Sequence, residues 1–449
     1  MALAPSVATS VDPNAVEQPG KGGGGTKVVL ILAFAVFFLL GGVTNINDLL
    51  VGKFKPMFHL THAEANLVQM AFFIAYGAFS IPAGIIMSKL GYIRTFVLGF
   101  IIVAAASFLF IPASAAASYP GFLAALFCIG AGITVLQVAM NPVITTLGPV
   151  ETSHSRLTFA QAFNSIGVFL MVYGGATFLL GDSTPIDADT ASEAQIQAYR
   201  VAEGASIGTA YMWLGVLMLV IAAVFWMYRS ALDHARTDAV KLEGTWGLLT
   251  HNRRVQFGAL CIFVYVGAEV AIGSNLMAYL AEPSVMGLGL QAAGKLVAMY
   301  WLGALVGRLL GGFILRLAKP GRVLTTFAAG AISLIILSAV TTGALSGWAL
   351  ILVGFCNSLM FPTIYGIALD GLTPNDAKLG SAGLIFAIVG GAIMPRWQGA
   401  LIDGPSFQLG SMTLESVRVS FVLPAVCFVV IALYGFLVLL MPRSARPAN

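Results

Sequence analysis

Charge is what this 449-residue chain has least of. Asp, Glu, Lys and Arg make up 9% of it, against about 25% in a typical soluble domain. With 58% hydrophobic residues and a mean hydropathy of +0.91, the chain has too little polar surface for an ordinary soluble protein and no basic face for nucleic acid. Cysteine is scarce too: Cys128, Cys261, Cys356 and Cys427 stand singly in apolar segments. No pair has disulfide or metal spacing, so packing is their expected role and no metal or cofactor is implied. The five histidines lie in loops or at helix ends, which leaves no candidate proton relay among them. Catalytic signatures are absent as well. Gly289 to Leu296 nearly fits a phosphate-binding loop, but it lacks the Ser or Thr that would hold Mg²⁺, and no strand precedes it. An enzyme is not expected.

What the chain has instead is long apolar runs. Roughly 20 apolar residues span a bilayer as a helix. About twelve such stretches start near Val28, Ala63, Thr95, Phe122, Thr158, Gly208, Gln256, Gln291, Val323, Gly347, Gly380 and Val419. The runs are too long for barrel strands and lack period-2 alternation. An all-α integral membrane protein follows, with the lipid bilayer as its solvent. With a cytoplasmic N-terminus and alternating spans, 16 of the 23 Lys and Arg fall on the cytoplasmic side, as the positive-inside rule requires. Both termini are then cytoplasmic, and Gly181 to Ile207 forms the longest outer loop. Residues 1–27 lack a basic region directly ahead of an apolar core, so they read as a disordered tail and not a signal peptide.

Residues 229–255 form the longest internal polar segment and divide residues 28–228 from 256–442, six spans each; 443–449 is a short tail. The halves echo one another. Gly84 and Arg94 recur as Gly312 and Arg322 at a common offset of 228 residues. Asn141-Pro142 with Gly148-Pro149 in the fourth span corresponds to Phe361-Pro362 with Pro374 in the tenth. Interrupted helices at matching places in two halves point to a transporter binding site.

A second anomaly is the polar residues inside the spans. Asp48 follows the almost unbroken apolar run Val28 to Leu40, and a carboxylate there costs several kcal/mol or more. Glu269 in the seventh span and Arg308 in the eighth are further buried ions; Arg308 needs a carboxylate partner. Residues three or four apart share a helix face, which pairs Asn45 with Asp48, Gln137 with Asn141, Gln161 with Asn164, and Tyr265 with Glu269. Asn275 and Tyr365 extend this polar set. Amides and carboxylates suit hydroxyl-rich ligands, and Tyr300, Trp301 and Phe361 offer stacking faces. The competing reading for each amide is a hydrogen bond that ties helices together.

These motifs resemble the fucose/galactose/glucose:proton symporters of the major facilitator superfamily. The resemblance runs from Val28 to Asp403. It is carried by Asn45-Ile46-Asn47-Asp48, Asn141-Pro142, Leu147-Gly148-Pro149, Arg156-Leu157, Ala160-Gln161-Ala162-Phe163-Asn164-Ser165, Tyr265-Val266-Gly267-Ala268-Glu269, Gly307-Arg308 and Pro362-Thr363-Ile364. It implies two pseudo-symmetric six-helix bundles and import of a hexose with a proton by alternating access, in a bacterial inner membrane, with one chain sufficing. Asp48, with Glu269, is then the proton-coupling candidate. Asn45, Gln137, Asn141, Gln161, Asn164, Glu269, Asn275 and Tyr365 are sugar contacts. Arg308 is a charge partner, and cytoplasmic Arg94 and Arg322 latch the bundles. Fucose-transporting members carry a glutamate where this chain has Gln137, and an amide where it has Glu269. Both departures resemble the glucose/galactose branch. L-fucose, N-acetylglucosamine, or export of small amphipathic compounds are the alternatives.

Overall fold

In the computed structural model the described residues are 25–146, 153–180, 191–227, 249–372, 383–409 and 412–440, with 247, 376 and 380. They contain twelve helices long and apolar enough to cross a membrane. The first six are α1 (Ile31–Phe58), α2 (His62–Met87), α3 (Tyr92–Ala115), α4 (Tyr119–Met140), α5 (Phe159–Leu180) and α6 (Glu193–Met227). The second six are α7 (Arg253–Ala281), α8 (Leu290–Gly311), α9 (Pro320–Val340), α10 (Gly343–Leu369), α11 (Gly383–Ile402) and α12 (Ser416–Leu440). A short hairpin, β1 (Phe407–Leu409) against β2 (Met412–Leu414), joins α11 to α12.

The repeat is legible in the packing. In the first half α1 packs on α5, α2 on α4, α3 on α4 and α3 on α6. In the second, α7 packs on α11, α8 on α10, α9 on α10 and α9 on α12. Glycines set the closest crossings, as small residues do where helices associate in lipid. A Cβ on Gly167 of α5 would fall 1.8 Å from the Phe38 carbonyl of α1, and one on Gly390 of α11 would fall 2.0 Å from the Phe263 carbonyl of α7. Gly130 meets the Phe72 carbonyl and Gly354 meets the Tyr300 carbonyl in the same manner. Phe72 and Tyr300 stand at the 228-residue offset that relates Gly84 to Gly312.

The halves meet through two related contacts, α2 on α11 and α5 on α8, together with the end of α1 against α7. Large apolar side chains such as Trp213, Val220, Ile336, Val426 and Phe436 are exposed on the outer helices α6, α9 and α12, the surface a bilayer would cover.

Two expectations change. The segment expected as a loop to Ile207 is helical from Glu193, which adds the early turns of α6. Near the Phe58 end of α1, Lys53 is buried and pairs with Glu203 of that helical extension. At Asn141-Pro142 the interruption expected in the fourth span does not occur: the described helix runs through Tyr119–Thr146. Gly148-Pro149, Pro374, residues 1–24, most of 229–248 and the tail 443–449 lie outside the described residues. The tenth span is interrupted at Ser358–Leu359. Pro362 explains this, since it withholds the N–H that would bond the Ser358 carbonyl four residues back. α1 is interrupted at Ile46, directly before Asn47 and Asp48.

Candidate functional site

Asp48 lies on the seam between the halves. The turn at Ile46 starts a new helical segment, Asn47–Phe58, with Asp48 in its first turn. Its carboxylate is 3% exposed and is held from both sides. Gln69 Nε2 of α2 donates to Oδ1 at 2.9 Å, Ser274 Oγ of α7 donates to Oδ1 at 3.0 Å, and Trp301 Nε1 of α8 donates to Oδ2 at 3.1 Å. Gln69 also donates to Ser274 Oγ at 2.8 Å. Gly273 makes room: a Cβ there would sit 3.0 Å from Asp48 Oδ2. The offset of 225 that relates Phe38 to Phe263 carries Asp48 onto Gly273. The carboxylate thus faces its own counterpart position, which has no side chain, and two facing carboxylates are avoided.

A second cluster gathers around Glu269, which is fully buried. Tyr265 Oη, one turn earlier on α7, lies 2.8 Å from Glu269 Oε1 and 2.9 Å from the Asn357 carbonyl. Tyr300 Oη donates to the Glu269 carbonyl at 3.1 Å, and Asn357 Nδ2 donates to Tyr300 Oη at 2.7 Å. Arg308 Nη2 stands 3.9 Å from Glu269 Oε1, an ion pair without a hydrogen bond. Arg308 Nη1 donates to Ser165 Oγ of α5 at 2.6 Å, across the seam. The charge partner required for Arg308 is therefore Glu269.

Above Asp48 toward the Phe58 end of α1, an amide ladder ties the halves together. Asn66 Nδ2 donates to Asn275 Oδ1 at 2.9 Å, Asn275 Nδ2 to Gln398 Oε1 at 3.1 Å, and Gln398 Nε2 to Ser420 Oγ at 3.2 Å. Beyond it, Asp403 of the second half accepts from the His62 and Ala63 backbone N–H groups, both at 2.8 Å. Thr61 and Glu64 form their own capping box at the same helix start. The orphan donors of the first turn of α2 are shared between these two caps.

The remaining candidates separate. Gln137 is half-buried and donates to Tyr76 Oη at 2.9 Å. Asn45 donates to the Gly41 carbonyl of its own helix at 2.9 Å. Asn164 donates to the Phe37 carbonyl, tying α5 to α1. Gln161 is half-buried beside it, and its carbonyl accepts from Ser165 Oγ at 3.0 Å. Tyr365 stacks on Phe361 with centroids 6.0 Å apart. Arg94 and Arg322 are exposed at helix ends away from both clusters. The Asn141 side chain lies outside what the structure describes. Sequence reasoning missed Gln69, Ser274 and Ser165. The signal for Gln69 was present, an amide in an otherwise apolar span; the two serines carry none, since serine is common in membrane helices.

Twelve membrane-crossing helices in two matched sixes, with buried ionisable groups on the seam between them, define a multi-pass membrane protein of the alternating-access type. The chain matches the Major Facilitator Superfamily over residues 29–395 and belongs to that family. It is 38% identical over 402 residues to a glucose/galactose transporter of Brucella abortus, covering 90% of this chain and 92% of that one. It is 37% identical to a putative glucose/galactose transporter of Helicobacter pylori, at 89% and 94% coverage. It is 30% identical over 437 residues to the L-fucose-proton symporter of Escherichia coli, at 95% and 97% coverage. Among solved structures, the superfamily transporter FucP in its outward conformation matches with a TM-score of 0.69 and 30% identity, covering 92% of this chain and 99% of that one. An inward-facing bacterial homologue of the human lysosomal transporter Spinster shares the fold, with a TM-score of 0.67 and 15% identity over 92% of this chain and 97% of that one.

Proposed function

We propose that this chain imports a hexose of the glucose/galactose type together with a proton, by alternating access, in a bacterial inner membrane. Both termini are cytoplasmic, and the single chain is the working unit. The observation that carries the reading is the position of Asp48: a buried carboxylate from one half whose donors Ser274 and Trp301 come from the other. The names of the relatives supply the substrate class.

Coupling follows from what happens when the seam opens. With the N-terminus cytoplasmic, the sealed end that holds His62 and Asp403 faces outward, so this state is closed to the outside. Opening that end parts Asp48 from Ser274 and Trp301. A buried carboxylate that loses such donors costs a few kcal/mol each, and more in a membrane interior. A proton from the outer side removes that cost. When the seam closes again, Trp301 Nε1 returns to Oδ2 and Ser274 to Oδ1 beside the Gln69 amide, so both carboxyl oxygens face N–H groups, which cannot accept. The returning donors thus favour release of the proton, which leaves inward. Sugar binding between the halves completes the cycle.

Proteoliposomes test this. An imposed inward proton gradient is expected to accumulate labelled glucose or galactose. Accumulation of L-fucose or N-acetylglucosamine alone would move the substrate, and gradient-driven efflux of amphipathic dyes with no sugar uptake would replace the reading with an exporter. Gln137, where the fucose-transporting relatives are expected to carry a glutamate, favours the glucose/galactose branch.

A further inference from the structure

We infer that Glu269 and Arg308 form a clamp for two adjacent hydroxyls of a neutral sugar, and that this clamp discriminates between ring configurations while Asp48 handles the proton. The inference rests on the sugar-transport reading above and adds which residues recognise the ligand.

Each member of the pair is anchored at one end and unengaged at the other. Glu269 Oε1 is held by Tyr265, while Oε2 has no hydrogen-bond partner. Arg308 Nη1 is held by Ser165, while Nε and Nη2 have none. The Glu269 side chain is 0% exposed and that of Arg308 is 10% exposed. Beside them Asn357, also 0% exposed, holds Tyr300 through Nδ2 and leaves Oδ1 unbonded. Arg and carboxylate frequently meet in a bidentate fork. This pair stops at 3.9 Å, close enough to cancel charge and too far to satisfy either group.

The unmet atoms define the ligand. Glu269 Oε2 needs a donor, and Arg308 Nη2 needs an acceptor. A hydroxyl supplies either, and with Arg308 Nη2 3.9 Å from the other oxygen of the same carboxylate, the adjacent oxygens of a vicinal diol suit the pair. The charges already cancel within the pair, so a carboxylate or ammonium ligand would leave one of them unbalanced in a low-dielectric setting. A neutral diol leaves the balance intact. Because one hydroxyl must donate and its neighbour accept in fixed directions, an epimer at either carbon loses one of the two bonds. The bond from Arg308 to Ser165 adds a link across the seam, so a diol on Arg308 bears directly on the contact between α8 and α5.

The test uses the full-length protein in proteoliposomes, with competition of labelled galactose counterflow by glucose, galactose and their 2-, 3-, 4- and 6-monodeoxy analogues. In the wild type two adjacent deoxy positions are expected to lose about 10-fold or more in apparent affinity. Glu269→Gln is expected to weaken the parent sugar by a similar factor, yet to add no further loss for the analogue lacking the hydroxyl that Glu269 contacts. Tyr265→Phe, which keeps the carboxylate and its volume, is expected to repeat that pattern at smaller amplitude and serves where Glu269→Gln fails to fold. Equal losses for every analogue in either variant, or no loss, would overturn the clamp and make the pair structural. Failure of every hexose to compete in the wild type would overturn the sugar reading itself.

Discussion

Asp48 Oδ2 accepts a hydrogen bond of 3.1 Å from Trp301 Nε1, and the two residues belong to opposite halves of the molecule. The contact makes the ionic state of one side chain a property of the seam. Asp48→Asn tests it. An amide at this position must turn its NH₂ toward either Trp301 Nε1 or Gln69 Nε2, both obligate donors. Gradient-driven sugar accumulation is expected to vanish, while counterflow without a gradient continues at reduced rate. Comparison of the two fluxes in the same vesicles checks this; accumulation at the wild-type level would remove Asp48 as the proton carrier.

Gly399 is required for the seam to close. A Cβ there would fall 2.6 Å from the His62 carbonyl and 2.8 Å from the Ala63 nitrogen, both backbone atoms that cannot step aside. Gly399→Val is expected to hold the molecule open at the Asp403 end and to lower counterflow at least 10-fold. A cysteine introduced at Ala65, fully buried here, would then be labelled by an impermeant maleimide much faster than in the closed parent, measured over the background of the four native cysteines.

Lys53 and Glu203 form a salt bridge with side chains only 5% and 13% exposed. Removing one partner of a buried pair leaves an uncompensated charge and costs about 3–5 kcal/mol. Lys53→Met is expected to lower the thermal midpoint in detergent clearly. The double change Lys53→Met with Glu203→Met is expected to recover most of the loss, because no charge remains to be buried.

Gln137→Glu places a carboxylate where fucose-transporting members are expected to have one. The Tyr76 hydroxyl that now accepts from Gln137 can reverse and donate, so the variant is expected to fold. Its counterflow should acquire a second titrating step, and L-fucose should compete several-fold better than in the parent. A pH series of competition assays measures both.

The reading of the sequence succeeded where the physics is local or additive. Apolar runs of bilayer length gave the twelve helices, because backbone groups in lipid must be satisfied within the segment. The 228-residue offset seen in Gly84 and Gly312 reappears in the packing, where Phe72 and Tyr300 each take a glycine crossing, from Gly130 and Gly354. Tyr265 and Glu269 do share a face and a hydrogen bond, as their spacing of four implied. Between Asn45 and Asp48 the helix is interrupted at Ile46, which places Asp48 in the first turn of a new segment. Nothing in the residue types marks that interruption. Pro142 looked like the stronger breaker, yet its helix continues through Tyr119–Thr146.

The sequence alone determined that Asp48, Glu269 and Arg308 had to be buried together with partners, since charge in an apolar span is too costly to leave bare. It also determined the number of helices and the division into halves. Only the tertiary structure decided who the partners are. Ser274 and Trp301 come to Asp48 from more than 220 positions away in the chain, brought there by glycine-set crossings that repeat in both halves. Spacing fixes which residues share one helix; which helices share a seam depends on the packing of all twelve.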